Sequence, residues 1–260
     1  MNRNYSLTFV VLALSILLSA FASIKPRKIY LIGDSTVANY ALEEDYDQKR
    51  YPLFGWGQVF QDFFVPDSLQ AFAHLLGDTR PITIDDRAKG GRSTRTFFQE
   101  GRWSAVYKDL QVGDVVMMQF GHNDGSKNHP ERYVDLQGYK EFLRLFVHQT
   151  REKGAIPILM TPVARNYPWK DGALQNVHGD YPQAVKEVAA ELDVKLIDLN
   201  TLSMTYFSSK GQDYVTQHYF MNLPAGKYAA YPEGQKDNTH FQEAGARVIA
   251  QLVFNAMKGL

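Results

Sequence analysis

The chain has 260 residues, with 28 basic and 28 acidic side chains and no cysteine. That balance gives no support for nucleic-acid binding, whose affinity comes largely from neutralising phosphates, and the missing cysteines exclude disulfides and thiolate metal sites. The length suits one α/β domain with a sizeable core, whose stability must come from packing.

Residues 1–22 read as an export signal rather than as part of the fold. Arg3 supplies a weakly basic start, Leu7 to Leu18 form an apolar run, and Ala20-Phe21-Ala22 gives the small-residue pattern that precedes a cleavage point near Ser23. The run is shorter than the roughly 20 residues a membrane span needs. Residues 23–260 are therefore expected to form a single exported domain, periplasmic or extracellular, without stable membrane insertion; an uncleaved amino-terminal anchor is the alternative.

Ile29 to Ile32 predict a first strand that stops at Gly33 and delivers Asp34 and Ser35 into a turn. A serine at the carboxyl end of that strand sits where α/β folds place their ligand sites, although Gly-Asp-Ser is also the composition of an ordinary turn. Trp56, Val59, Phe60 and Phe63 recur at helical spacing and predict a first helix. Val65 to Asp78, bracketed by Pro66 and Pro81, shows no clear period and reads as a long excursion. Ile82 to Ala88 predict a second strand, cut short by Gly90-Gly91, where paired glycines permit positive φ angles and close approach to a ligand. Thr94 onward is expected to be helical, with Trp103, Val106 and Tyr107 facing inward. Asp114 to Phe120 form a third, almost wholly apolar strand, as expected when both faces are covered.

Asp135 to Lys153 carry the clearest helical signature, with Tyr139, Phe142, Leu143, Phe146 and Val147 on one face and Gly154 closing it. Ile156 to Met160, Ala184 to Leu192 and Val194 to Ile197 continue as strand, helix and strand. From Thr201 to Asp237 the pattern changes to a long loop rich in aromatics, among them Tyr206, Phe207, Tyr214, Tyr219, Phe220, Tyr228 and Tyr231. A final helix buries Val248, Ile249, Leu252, Val253, Ala256 and Met257, and Thr239-x-x-Gln242 has the form of a capping box at its start. The alternation predicts an α/β domain, three-layer and doubly wound in the flavodoxin-like manner, with about five parallel strands.

Three short motifs directly follow successive strands, at Ser35, Gly91 and Asn123, so in a parallel sheet their loops share one edge. A fourth, Asp237-Asn-Thr-His240, precedes the last helix. These blocks, Gly33-Asp-Ser-Thr36, Gly90-Gly-Arg-Ser93, Gly121-His-Asn-Asp124 and Asp237-x-x-His240, resemble the four sequence blocks of the SGNH (GDSL-type) hydrolases. Tyr30-Leu-Ile-Gly-Asp-Ser-Thr, Phe54-Gly-Trp-Gly, Gly91-Arg-Ser-Thr-Arg and Phe120-Gly-His-Asn-Asp resemble more closely the rhamnogalacturonan acetylesterase branch, over roughly residues 28 to 255.

The resemblance implies that Ser35 is a nucleophile, His240 its general base and Asp237 the group that orients His240. It further implies an oxyanion hole made by the Ser35 and Gly91 backbone amides and the Asn123 side chain. The chemistry asks for those residue types: a serine hydroxyl needs an imidazole to take its proton, and the imidazole needs an acceptor to fix its tautomer. Gly91 leaves its amide unobstructed, and Asn123 offers an NH₂ that aspartate lacks. If Thr239 caps the last helix, His240 also lies at a helix amino terminus, where the dipole opposes protonation.

His122 reads as a packing or loop hydrogen-bonding residue rather than a participant in the chemistry. The remaining histidines show no metal-ligand pattern, so no metal and no cofactor is expected. The implied partner is an acetylated polysaccharide or oligosaccharide, most closely the acetylated galacturonate of rhamnogalacturonan. Arg92 and Arg95 are candidates for pairing with uronate carboxylates, and the 206–231 aromatics either stack on sugar rings or pack onto the sheet. The alternatives are an esterase of the same fold acting on acetylxylan or small acyl esters, and a carbohydrate-binding protein without turnover.

Overall fold

The computed structural model describes residues 25–260; the expected export segment 1–22 lies outside them. Five parallel strands form the central sheet: β1 (Arg27–Gly33), β2 (Ile82–Asp86), β3 (Val115–Gln119), β4 (Ile156–Met160) and β5 (Lys195–Ile197). Their order across the sheet is β2-β1-β3-β4-β5, the doubly wound arrangement in which the chain reverses direction between β1 and β3.

Apolar side chains alternate to the two faces of these strands, and each face has its own helices. Tyr30, Ile32, Val116, Met118 and Leu159 pack against α1 (Thr94–Gln99), α2 (Arg102–Asp109), α3 (Leu136–Glu152) and α4 (Tyr181–Glu191), through Phe97, Trp103, Phe146 and Val188 among others. Gly101 at φ 74 separates α1 from α2, so the predicted helix from Thr94 is two helices. Asp135 caps α3 by accepting the Gly138 amide at 2.7 Å. Ile29, Leu31, Val115, Met117 and Ile158 point the other way, toward α5 (Leu199–Lys210), α7 (Glu243–Met257) and the 3₁₀ segment Trp56–Phe63. Between α5 and α7 lie α6 (Gln212–His218) and an antiparallel hairpin of β6 (Phe220–Leu223) and β7 (Gln235–Phe241).

Four further expectations change. The predicted first helix is 3₁₀ rather than α, with Trp56, Val59 and Phe60 buried. The excursion at 65–78 folds as 3₁₀ turns over Pro66–Phe72 and one α turn over Ala73–Leu76, because Leu69, Phe72 and Leu76 reach the core. The long loop at 201–237 is mostly regular: α5, α6 and β6 occupy it, and Phe207, Tyr219 and Phe220 are buried within it. The capping box does not form. Gln242 is the residue before α7 and its side chain donates to the Phe220 carbonyl at 2.6 Å, while Thr239 and His240 belong to β7.

Candidate active site

The sheet edge at the carboxyl ends of β1, β2 and β3 carries Ser35, Gly91 and Asn123, as the motif positions predict. β1 ends beside β3, with Gly33 paired to Gln119. Gly33 is required there, since a Cβ would lie 2.5 Å from the Gln119 carbonyl oxygen. The turn that follows is held by a directed chain of hydrogen bonds. Trp56 Nε1 donates to Gln119 Oε1 (2.9 Å), Gln119 Nε2 to Thr36 Oγ1 (2.6 Å), and Thr36 Oγ1 to Asp34 Oδ1 (2.8 Å). Every member of this chain is buried, so Ser35 stands on a fixed base. The Tyr40 hydroxyl adds a hydrogen bond to the Ser35 carbonyl at 3.0 Å.

His240 arrives from the far end of the chain on a distortion of the β6–β7 hairpin. Asn222 pairs with Lys236 and Phe220 with Phe241, so residues 237–240 bulge out between those pairs. The bulge wraps around one carboxylate: Asp237 Oδ1 accepts the amides of Thr239 (2.7 Å) and His240 (3.1 Å). Asn166 and Asn222 secure it from outside, each donating to Asn238 Oδ1 at 2.9 Å. The ring of His240 is thereby set with Nδ1 2.7 Å from Asp237 Oδ2 and Nε2 2.9 Å from Ser35 Oγ. With Nδ1–H donating to the carboxylate, Nε2 is the lone-pair nitrogen and Ser35 donates its hydroxyl hydrogen to it. Burial alone would raise the pKa of Asp237, but the hydrogen bond and charge of His240 and the two backbone amides outweigh it, and the net shift is downward. The setting of the ring is this bulge and its carboxylate, not a helix terminus.

Opposite His240, Gly91 has φ 81, in the region that favours glycine. The Gly90–Gly91 turn abuts the nucleophile: a Cβ on Gly90 would lie 3.7 Å from Ser35 Cβ. Asn123 Nδ2 donates one hydrogen to the Arg92 carbonyl at 2.9 Å, which fixes the amide plane and leaves the second hydrogen for a ligand. Among the described residues neither the Ser35 nor the Gly91 amide donates to a protein acceptor. Ser35, Gly91, Arg92, Asn123, Asp237 and His240 all line one cavity of about 660 Å³.

The two candidate arginines serve the scaffold. Arg92 spends its guanidinium on both Glu100 oxygens (3.0 and 3.1 Å) and on the Gly90 carbonyl (2.7 Å). Arg95 donates to the Pro130 carbonyl at 2.7 Å and does not line the cavity. Of the seven aromatics singled out between 206 and 231, Tyr231 alone lines it; Phe207 and Phe220 pack against each other at 5.4 Å.

Sequence reasoning missed Tyr40, Arg132 and Arg165, which also line the cavity. For Arg165 a signal existed, since it follows β4 on the same sheet edge as the other motifs. His122 is buried with its ring edge-on to His178 at 4.5 Å. Burial drives its pKa well below the usual histidine range, with the charges of His178 and Arg165 adding to the effect. Beneath the site, Asp124 accepts the Thr94 amide (2.9 Å), the Thr94 hydroxyl (2.6 Å) and the Gly121 amide (3.1 Å), tying α1 to the loop after β3.

A serine, an imidazole and a carboxylate in hydrogen-bonded series, facing free amide donors across a cavity, can carry out acyl transfer. The GDSL-like lipase/acylhydrolase family model matches residues 31–248. The chain belongs to that family. It is 35% identical to rhamnogalacturonan acetylesterase RhgT of Bacillus subtilis, over 91% of this chain and 91% of the relative. It is 38% identical to the probable rhamnogalacturonan acetylesterase YesY of the same organism, over 89% of this chain and 93% of the relative. Among solved structures, that of YxiM from Bacillus subtilis superposes with a TM-score of 0.71 at 29% identity, over 91% of this chain and 57% of that one. The acetylxylan esterase Axe2 of Geobacillus stearothermophilus shares the fold, with a TM-score of 0.56 at 16% identity over 90% of this GDSL-like chain and 95% of the other.

Proposed function

We propose that this protein is a serine carbohydrate esterase that removes acetyl groups from rhamnogalacturonan, a pectic plant cell-wall polysaccharide. The observation that carries the reading is the continuous series Ser35 Oγ, His240 Nε2, His240 Nδ1, Asp237 Oδ2, with contacts of 2.9 and 2.7 Å, opening onto a cavity with unused amide donors. The relatives RhgT and YesY, similar over nine-tenths of the chain, support the substrate class.

In this reading Ser35 Oγ attacks the acetyl carbonyl carbon as its proton passes to His240 Nε2, and Asp237 stabilises the imidazolium that forms. The developing oxyanion takes hydrogen bonds from the Ser35 and Gly91 amides and from the second Asn123 hydrogen, each donor contributing about 2.7–4 kcal/mol in comparable sites. His240 then returns the proton to the departing sugar oxygen, leaving acetyl-Ser35. Water attacks that ester, its proton goes to His240, and collapse of the intermediate releases acetate and restores the serine hydroxyl. The segment 1–22 supports export to where such polymers lie. An intact mass beginning near Ser23 is expected for secreted protein, and one that retains residues 1–22 would contradict it.

The substrate assignment is tested by acetate release from acetylated rhamnogalacturonan and from acetylated xylan at matched ester concentration. A higher kcat/KM on the former is expected. Preference for xylan, or release from neither, would overturn the reading.

A further inference from the structure

Arg165 stands in the wall between two cavities. With His122 and Ser126 it lines both the Ser35 cavity, about 660 Å³, and a neighbouring one of about 710 Å³. The other cations around Ser35 have counterions. Arg50 Nε lies 3.0 Å from a Glu43 oxygen, Lys89 takes the other Glu43 oxygen, and Arg92 lies 3.0 Å from Glu100.

Arg165 differs from these. Its Nε donates to His122 Nδ1 (3.3 Å), one Nη to the His122 carbonyl (3.2 Å) and the other to the Tyr167 hydroxyl (2.7 Å), and all three acceptors are neutral. Among the described residues no carboxylate lies within ion-pair distance of it. Arg132, on the same cavity and 3.7 Å from where a Gly91 Cβ would stand, reaches a carboxylate only at 4.0 Å, on the exposed Glu131.

A half-buried guanidinium held in a fixed plane without a counterion is prepared for a planar anion, because its N–H fork matches carboxylate geometry. The plane here is set from beneath by His122. That imidazole is buried, neutral and packed on His178, so Nδ1 remains an acceptor for the arginine. Arg165 occupies the wall that the two cavities share.

We propose that Arg165 is a specificity-determining residue whose guanidinium, in the wall shared by the two cavities, binds a uronate carboxylate of the substrate chain whose acetyl ester meets Ser35. The assignment rests on the carbohydrate-esterase reading above and deepens it.

The test compares acetylated rhamnogalacturonan oligosaccharides with the same oligosaccharides after methyl esterification of their carboxyl groups. Wild type is expected to favour the free acid about tenfold in kcat/KM, mainly through KM, and to lose that preference as salt is raised. Arg165→Gln is expected to raise KM for the free acid and bring the two forms near parity, with Arg165→Lys intermediate. A wild type that hydrolyses both forms equally, or an Arg165→Gln variant that keeps the full preference, overturns this assignment while the esterase reading stands. Loss of kcat on both forms alike in Arg165→Gln overturns it in favour of a structural role. Acetate from neither form overturns the esterase reading and this assignment with it.

Discussion

Asp237 divides its work between its two oxygens: one accepts the amides that shape the bulge and the other accepts His240 Nδ1. An asparagine there keeps the shape but supplies a donor or a weaker acceptor, so the imidazole loses its fixed tautomer. Asp237→Asn is expected to lower kcat by roughly 10³–10⁴-fold with little change in KM, read by steady-state acetate release; a fall under tenfold would contradict the role given to this carboxylate. A second residue-scale prediction concerns acid. His178 is buried with Nε2 2.9 Å from the Val163 carbonyl, and burial, then the charge of Arg165, pushes its pKa from 6.5 down to about 4. Between those values the unfolded chain binds a proton that the folded chain does not, so stability is full above pH 6.5 and falls as pH drops toward 4, by on the order of 3 kcal/mol. Urea unfolding of His178→Gln should show a shallower loss between pH 7 and 4.5 than wild type, and identical slopes would sink the idea. At this scale the sequence was legible wherever chemistry demanded a residue type at a strand end, as at Ser35, Gly91 and Asn123. It was not legible for Arg92, because which arginine finds a carboxylate in the fold depends on partners such as Glu100, brought in by the next turn of chain.

Among the elements, the 3₁₀ segment Trp56–Phe63 has two duties. Its Phe60, with Phe64 and Phe72 just beyond it, builds an aromatic cluster with Phe254 of the last helix, with ring centroids 5.1–5.5 Å apart for the contacting pairs Phe60–Phe64, Phe64–Phe72, Phe64–Phe254 and Phe72–Phe254. Its Trp56 starts the hydrogen-bond chain that ends at Asp34 under the nucleophile. Trp56→Phe keeps the ring but leaves Gln119 Oε1 buried without its donor, at a cost of about 1–3 kcal/mol. The variant is expected to unfold at lower urea and to lose kcat as the Ser35 turn loosens. Unchanged kcat would show that the turn does not depend on this chain. The α3 helix and the strands β1, β3 and β4 could be read from their periods, since each buries one stripe or nearly all of both faces, while the edge strands β2 and β5 are only partly buried. The segments at 65–78 and 201–237 could not. In the first, an i,i+3 repeat runs through only two short turns, and in the second the buried face of helix α5 includes the polar Asn200 and Ser203 while Leu202 is exposed, so hydrophobicity does not mark it. The bulge at 237–240 was also invisible, because Thr239 and Gln242 have the spacing of a capping box, while Thr239 belongs to β7 and the Gln242 side chain turns to the Phe220 carbonyl.

Over the whole molecule, the strand order β2-β1-β3-β4-β5 places the reversal of winding between β1 and β3, and Ser35 and Asn123 leave the sheet on either side of that crevice. The hairpin outside the sheet then returns His240 to a serine 205 residues earlier in the chain. This closure is what makes the separated motifs one site, and it was implied by motif order before any strand order was known. Among the described residues no helix is long and apolar enough to cross a membrane, and the chain has no disulfide to hold its two ends together. The catalytic geometry therefore depends on core packing across the sheet. The most direct measurement of the central claim is acetate release from one acetylated rhamnogalacturonan preparation by wild type and by Ser35→Ala, with folding of the variant checked by its urea midpoint. Turnover by wild type and a loss of about 10⁴-fold or more in a folded Ser35→Ala are predicted; equal rates would contradict the account.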